Sequence, residues 1–308
     1  MKKILVISSN LIGDCILSTG LINQLIKNNS ESKITIVSGP TSAQVYKNFP
    51  NIENIIIIKK RRFSYHWYFL WKICIKIKWD IVIDLRSSLI SYFLFKNKHI
   101  IFKHTNNEHK INQLHNYFNL PETPHPKIYN SNDEESKSKA MFQKDKQYLV
   151  IAPGGNWGPK IWPAYNFNQL SNELLKKNPN LFLVLSGSYN ERLKYKEDIL
   201  KNINNDRIID IMGENITQTH SFYKKCNLFI GNDSGLMHLA VASGINTIGL
   251  FGPTNDSLYR PYGKKGYTIR TTKNYEDFKK VKIDKNLSYM DSITVKKVLN
   301  FIEINKLL

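Results

Sequence analysis

The residues best suited to chemistry lie at 231–254, GNDSGLMHLAVASGINTIGLFGPT. An apolar strand end runs into a sharp turn at Asp233-Ser234-Gly235, then into a short helix carrying His238. A second strand, residues 247–251, follows and ends in Gly252-Pro253-Thr254. A helix that opens with Ser-Gly at the carboxyl end of a strand points free backbone N–H groups and a positive dipole end into the space before it, a geometry that favours phosphate. The Ser234 hydroxyl and the amides of Ser234 and Gly235 are therefore candidate diphosphate ligands. Asp233 is a candidate for holding the turn, and Gly252, Pro253 and Thr254 are candidate walls of the same site. His238, one turn into the helix, either serves a phosphate or is a satisfied core histidine.

Two further loops follow strand signals. Residues 153–163, PGGNWGPKIWP, come after the apolar run 148–152 and contain Gly154, Gly155, Asn156 and Lys160. The G-x-x-x-x-G-K-[ST] spacing of a P-loop is missing. A lysine held between Trp and Pro residues can offer a fixed cation to a departing diphosphate; the plain alternative is a solvated lysine in a tryptophan-stiffened loop. Asp14, in NLIGD after the strand 4–8, lies where a general base would be useful, or else complements the dipole of the helix it opens, worth roughly 0.5–2 kcal/mol. Gly13 and Gly20 do not make a G-x-G-x-x-G dinucleotide fingerprint, which argues against a Rossmann dehydrogenase. No D-x-D offers a metal site for a sugar diphosphate, so no metal and no cofactor is expected.

The chain carries 44 Lys and Arg against 25 Asp and Glu, a net charge of +19, which predicts an anionic partner. The densest cluster is Lys59-Lys60-Arg61-Arg62, followed by FSYHWYFLWKICIKIKW up to Trp79. Cations ahead of an aromatic helix suit an anionic membrane surface or a phosphorylated or carboxylated glycolipid; an ordinary amphipathic helix with a solvated basic edge is the plain alternative. Arg86 and Ser87, after Asp84 at another strand end, are secondary acceptor candidates. A nucleic-acid-binding protein would also be basic, but no binding module appears outside 59–79, so no specific nucleic acid is expected.

These loops need a scaffold, and the rest of the chain supplies one. Three scattered cysteines, Cys15, Cys74 and Cys226, fit a reducing compartment rather than a disulfide frame. The opening MKKILVISSN reads as a first strand rather than a signal peptide, and no run approaches the ~20 apolar residues of a membrane span. Strands at 4–8, 33–37, 55–58 and 81–85 alternate with helices at 15–27 and 65–77, the pattern of a parallel sheet with crossover helices. Residues 119–145 carry three prolines and a charged run and read as an interdomain linker. Strands at 148–152, 181–185, 207–211 and 228–230 then restart the alternation, with a helix over 167–175 and a terminal amphipathic helix at 293–307. The expected class is α/β, with two Rossmann-like domains, 1–145 and 146–308, a ligand cleft between them, and the last helix packing back on the first domain.

In order and spacing, I-G-D at Asp14, P-G-x-x-W-G-P-K-x-W-P at Lys160 and D-S-G-x-x-H…G-[LI]-F-G-P-T resemble the signature of glycosyltransferase family 9, the ADP-heptose-type lipopolysaccharide glycosyltransferases. The resemblance implies a GT-B fold and a metal-independent transfer with inversion, in which Asp14 is the catalytic base and Lys160 contacts the donor phosphates. It further implies an ADP-heptose donor, an anionic glycolipid acceptor in the lipopolysaccharide inner core meeting Lys59 to Arg62, and a place on the cytoplasmic face of the inner membrane. A GT-B relative acting on another nucleotide sugar, such as a 2-epimerase, is the nearest rival reading. Two departures stand out: Asn10 replaces an arginine common before I-G-D, and Gly20 replaces a frequent proline. Residues 210–221 offer no obvious acidic ribose ligand.

Overall fold

The computed structural model describes all 308 residues, which divide into two compact units, Met1–Tyr129 and Asn130–Leu308. The first unit holds a five-stranded parallel sheet of β1 (Lys3–Ile7), β2 (Lys33–Ser38), β3 (Ile52–Ile57), β4 (Trp79–Asp84) and β5 (Lys96–Ile101), in the order β3-β2-β1-β4-β5. β1 is central and Ile4 to Ile7 are fully buried, as a strand covered on both faces must be. The helices are α1 (Ile12–Asn28), α2 (Tyr65–Cys74) and α3 (Lys110–Phe118).

Gly20 explains how α1 is covered. A Cβ there would lie 2.0 Å from the Pro124 carbonyl oxygen, so the chain at 124–127 crosses the helix in backbone contact. Lys127 N–H donates to Thr19 Oγ1 at 2.9 Å and the Tyr129 hydroxyl to Asn23 Oδ1 at 2.6 Å, fastening the crossing.

The second unit holds six parallel strands: β6 (Gln147–Ala152), β7 (Leu181–Leu185), β8 (Ile208–Asp210), β9 (Leu228–Asn232), β10 (Asn246–Phe251) and β11 (Gly266–Arg270). Their order, β11-β10-β9-β6-β7-β8, is the doubly wound arrangement of a dinucleotide-type domain. Around it lie α4 (Asn132–Met141), α5 (Ala164–Lys177), α6 (Tyr189–Leu200), α7 (Ile216–Tyr223), α8 (Gly235–Ser243) and a C-terminal helix, Val295–Ile304.

The units do not divide at the expected 145/146, and residues 119–145 are not a free linker. Residues up to Tyr129 belong with α1, and the polar run becomes α4, which packs on α7. A capping box between Ser131 and Glu134 starts α4, Thr217 donates to Glu134 Oε1 at 2.5 Å, and Ser138 and Ser221 hydroxyls meet at 2.5 Å. The helix reads as linker because its contacts are hydroxyls and a buried carboxylate rather than an apolar stripe. The C-terminal helix, expected to pack back on the first domain, packs on α5; Val295, Val298 and Ile302 join Leu170 and Leu174 in the second unit's core. No helix is long and apolar enough to cross a membrane.

Candidate active site

In an open α/β sheet, ligands bind beyond the carboxyl ends of the strands, where the strand order reverses. In the first unit that point lies between β1 and β4, in the second between β6 and β9. All the sequence-predicted loops except the basic quartet and the β10 loop emerge at one of these two points.

After β1, Asp14 sits in the first turn of α1 and accepts from Ser9 Oγ at 3.2 Å. Ser9 is itself anchored: its carbonyl accepts from Cys15 Sγ at 3.0 Å and Ser38 Oγ at 3.1 Å, above a buried network that includes Ser8 and Tyr46. Asp14 lines a cavity of about 200 Å³ with Ser9, Arg86, Phe102, His104 and Lys110. Arg86 comes from the turn after β4, where the fully buried Asp84 accepts from Arg86 N–H at 2.8 Å and Ser88 N–H at 2.7 Å. Asp84 is thus occupied with holding the turn. Ser87, in a left-handed conformation at φ 53°, turns outward and donates to the Phe102 carbonyl at 2.9 Å. The Arg86 guanidinium donates to Asn10 Oδ1 at 3.1 Å, so Asn10 positions Arg86.

Sequence reasoning missed His104 and Lys110. His104 Nε2 lies 3.1 Å from the Leu85 carbonyl, so the neutral ring carries its proton there and turns the Nδ1 lone pair toward Lys110 Nζ, also at 3.1 Å. Burial lowers both pKa values. The Lys110 charge lowers His104 further, whereas the Asp14 carboxylate raises Lys110 back. The signal was a polar HTNNEHK loop after an apolar HIIF, hidden because β5 begins with charged KNK. Lys59, Lys60, Arg61 and Arg62 do not line this cavity and are all exposed, with Arg61 5.7 Å from the Phe69 ring centroid and Arg62 4.9 Å from that of Phe63.

The second unit gathers the donor-side candidates. Lys160 Nζ lies 3.5 Å from Asp233 Oδ2, both side chains largely buried. The Lys160 loop is wired on three sides: Trp162 N–H donates to Asn232 Oδ1 at 3.0 Å, the Trp162 indole to the Ile293 carbonyl at 2.7 Å, and Ser288 to the Ile161 carbonyl at 2.7 Å. Asn232 also donates to the Pro153 carbonyl at 2.7 Å, tying the β6 loop to the β9 turn. Gly155 packs against the Lys160 stem, Asn156 is exposed, and Gly154 leaves room for the Glu191 carboxylate, which a Cβ there would overlap. The Glu191 carboxylate accepts from Ser188 N–H at 2.7 Å in the capping box that opens α6.

Ser234 is the N-cap of α8 but does not cap it; its buried hydroxyl makes no hydrogen bond. Gly235 opens the helix, and His238 is buried within it. Beyond β10, the Gly252 carbonyl accepts from Arg270 Nη1 at 2.6 Å, Thr254's carbonyl accepts from Nη2, and Arg270 pairs with Asp256 at 3.0 Å. Arg270, also missed, shapes the loop carrying Pro253. No group of three or more His, Cys, Asp or Glu side chains is placed to hold a metal ion.

Two doubly wound α/β units are the architecture of the GT-B fold, the class to which the similar solved structures belong. The family model described as glycosyltransferase family 9 (heptosyltransferase) matches residues 72–288. The chain belongs to that family. It is 23% identical to lipooligosaccharide heptosyltransferase 2 of Haemophilus ducreyi, over 87% of this chain and 88% of that one. A family 9 glycosyltransferase from Veillonella parvula superposes with a TM-score of 0.80 at 22% identity, covering 98% of this chain and 96% of the other. The E. coli ADP-heptose LPS heptosyltransferase II gives a TM-score of 0.76 at 20% identity, with 100% and 98% covered.

Proposed function

We propose that the protein transfers a heptose from ADP-heptose to an anionic inner-core acceptor of lipopolysaccharide, with inversion and without a metal. One observation carries the donor half of this reading: the free Ser234 hydroxyl at the α8 N-terminus, in the turn whose Asp233 meets Lys160. Together they offer a hydroxyl, backbone N–H groups and an ammonium to a diphosphate. The names of the similar proteins supply the sugar and the nucleotide.

The acceptor hydroxyl oxygen attacks the anomeric carbon, and its proton passes to Asp14. The bond from that carbon to the diphosphate oxygen breaks, and ADP leaves with the bonding electrons. Lys160 and the α8 N-terminus meet the charge that develops on the leaving oxygen. A cation already in place makes a metal unnecessary. Lys59 to Arg62 bind the acceptor's phosphates and carboxylates and rest on the cytoplasmic face of the inner membrane.

Thermal unfolding with ADP, UDP, GDP, CDP, NAD and a short RNA, in EDTA, tests the reading. A ligand at 100 times its Kd adds about 2.7 kcal/mol, and ADP is expected to give the largest shift. A shift with UDP instead would replace the donor, and a response to RNA alone would remove the glycosyltransferase reading.

A further inference from the structure

Beside the Asp14 cavity the first unit carries a larger hollow of about 800 Å³, whose walls include Trp67, Tyr68 and Trp71 of α2, and Leu89 and Phe93 of the turn after β4. Arg86 lines both hollows, so they adjoin at its guanidinium, which lies 5.2 Å from the Trp67 ring centroid. Trp71 commits its indole N–H to the Phe93 carbonyl at 3.2 Å, which leaves that wall an apolar face.

The rim is unusual for a surface in water. Of the lining residues Leu89 is 78% exposed and Phe93 67%, and Phe63, next to the lining residue Ser64, is 89% exposed. Phe63 and Ser64 stand consecutively in the left-handed region, at φ 51° and 57°, a conformation strained for non-glycine residues. That backbone holds the Phe63 ring outward beside Arg62, at the end of the exposed basic quartet. Apolar groups bordered by cations complement hydrocarbon bordered by phosphate.

We propose that this groove holds the hydrocarbon part of the acceptor glycolipid, with Phe63, Leu89 and Phe93 set into the lipid surface. The proposal rests on the acceptor reading above and adds a path to it. The acyl chains lie along α2, the phosphates meet Lys59 to Arg62, and the sugar end passes Arg86 into the Asp14 cavity without the lipid leaving the bilayer.

The test compares one acceptor glycan in two forms, acylated in phosphatidylethanolamine–phosphatidylglycerol vesicles and fully deacylated in solution. For the double variant Leu89→Ser/Phe93→Ser, kcat/KM on the acylated form should fall at least tenfold relative to its value on the deacylated form, since two large apolar contacts are lost. An equal fall on both forms, or no fall on either, overturns the proposal. A second measurement does not depend on catalysis. Vesicles with brominated acyl chains should quench the tryptophan fluorescence of the wild-type protein, and Trp67→Phe/Trp71→Phe should remove that quenching. Absent quenching, or quenching undiminished in the variant, contradicts the groove. Quenching without heptose transfer to either acceptor would leave the groove standing and refute the proposed reaction.

Discussion

Replacing Ser234 with alanine separates a ligand-binding residue from a structural one by the sign of two effects. In most buried sites, deleting a hydroxyl that accepts or donates costs about 1 kcal/mol of stability. The Ser234 hydroxyl has no partner to lose, and it does not cap α8, so removing it lifts the cost of burying an unsatisfied polar group. Relief of part of that ~1–3 kcal/mol penalty leaves Ser234→Ala as stable as the wild type or slightly more so without nucleotide. With donor the sign reverses. A hydrogen bond to a charged phosphate contributes ~1.5–3 kcal/mol, a loss of about 10- to 150-fold in affinity. Thermal unfolding without ligand and ADP titration by calorimetry read the two numbers separately. Lower intrinsic stability with unchanged ADP affinity would refute the reasoning, because Ser234 would then be a fold residue.

Gly20→Ala removes a helix glycine, worth up to about 1 kcal/mol in propensity, but sets a Cβ 2.0 Å from a backbone oxygen. The overlap should win by ~1–3 kcal/mol and lower Tm; a higher Tm would show that the 124–127 crossing moves freely. Arg270→Met strips the Gly252 and Thr254 carbonyls and Asp256 of their shared partner, and should raise the Kd for ADP while destabilising the fold by ~2–4 kcal/mol. Arg270→Lys should rescue little, since one ammonium cannot span the three oxygens. Stability should fall with acid. His66, His99 and His104 have pKa values lowered by burial and neighbouring cations, so below about pH 6.5 the unfolded chain binds protons that the folded one resists. Tm should therefore drop as pH falls from 7.5 to 5.5, and His104→Gln should flatten part of that slope.

The loops proposed for the donor were legible as loops because each follows a run of buried apolar residues and carries glycine, with proline and tryptophan added in 153–163. Those residues are where the backbone must turn sharply or come close to another chain segment, as Gly154 does against Glu191. Whatever depends on pairing across the sheet was hidden. β5 opens with charged residues because it is an edge strand, which concealed the loop bearing His104 and Lys110. α4 was hidden by its polar contacts with α7, and Arg270 acts on carbonyls that have no sequence signature. Asn10 and Gly20 looked like departures from the family; their partners, Arg86 and the 124–127 crossing, give each a local physical reason.

Transfer itself is the most direct test of the proposed chemistry. The protein, ADP-heptose and a deacylated inner-core acceptor would be incubated in EDTA, with product mass read for the wild type and for Asp14→Asn. The expected result is one added heptose with the wild type and a rate reduced about 10²- to 10⁴-fold in the variant, the range for loss of a general base. Equal rates in the two proteins, or consumption of ADP-heptose without a heavier acceptor, would contradict it.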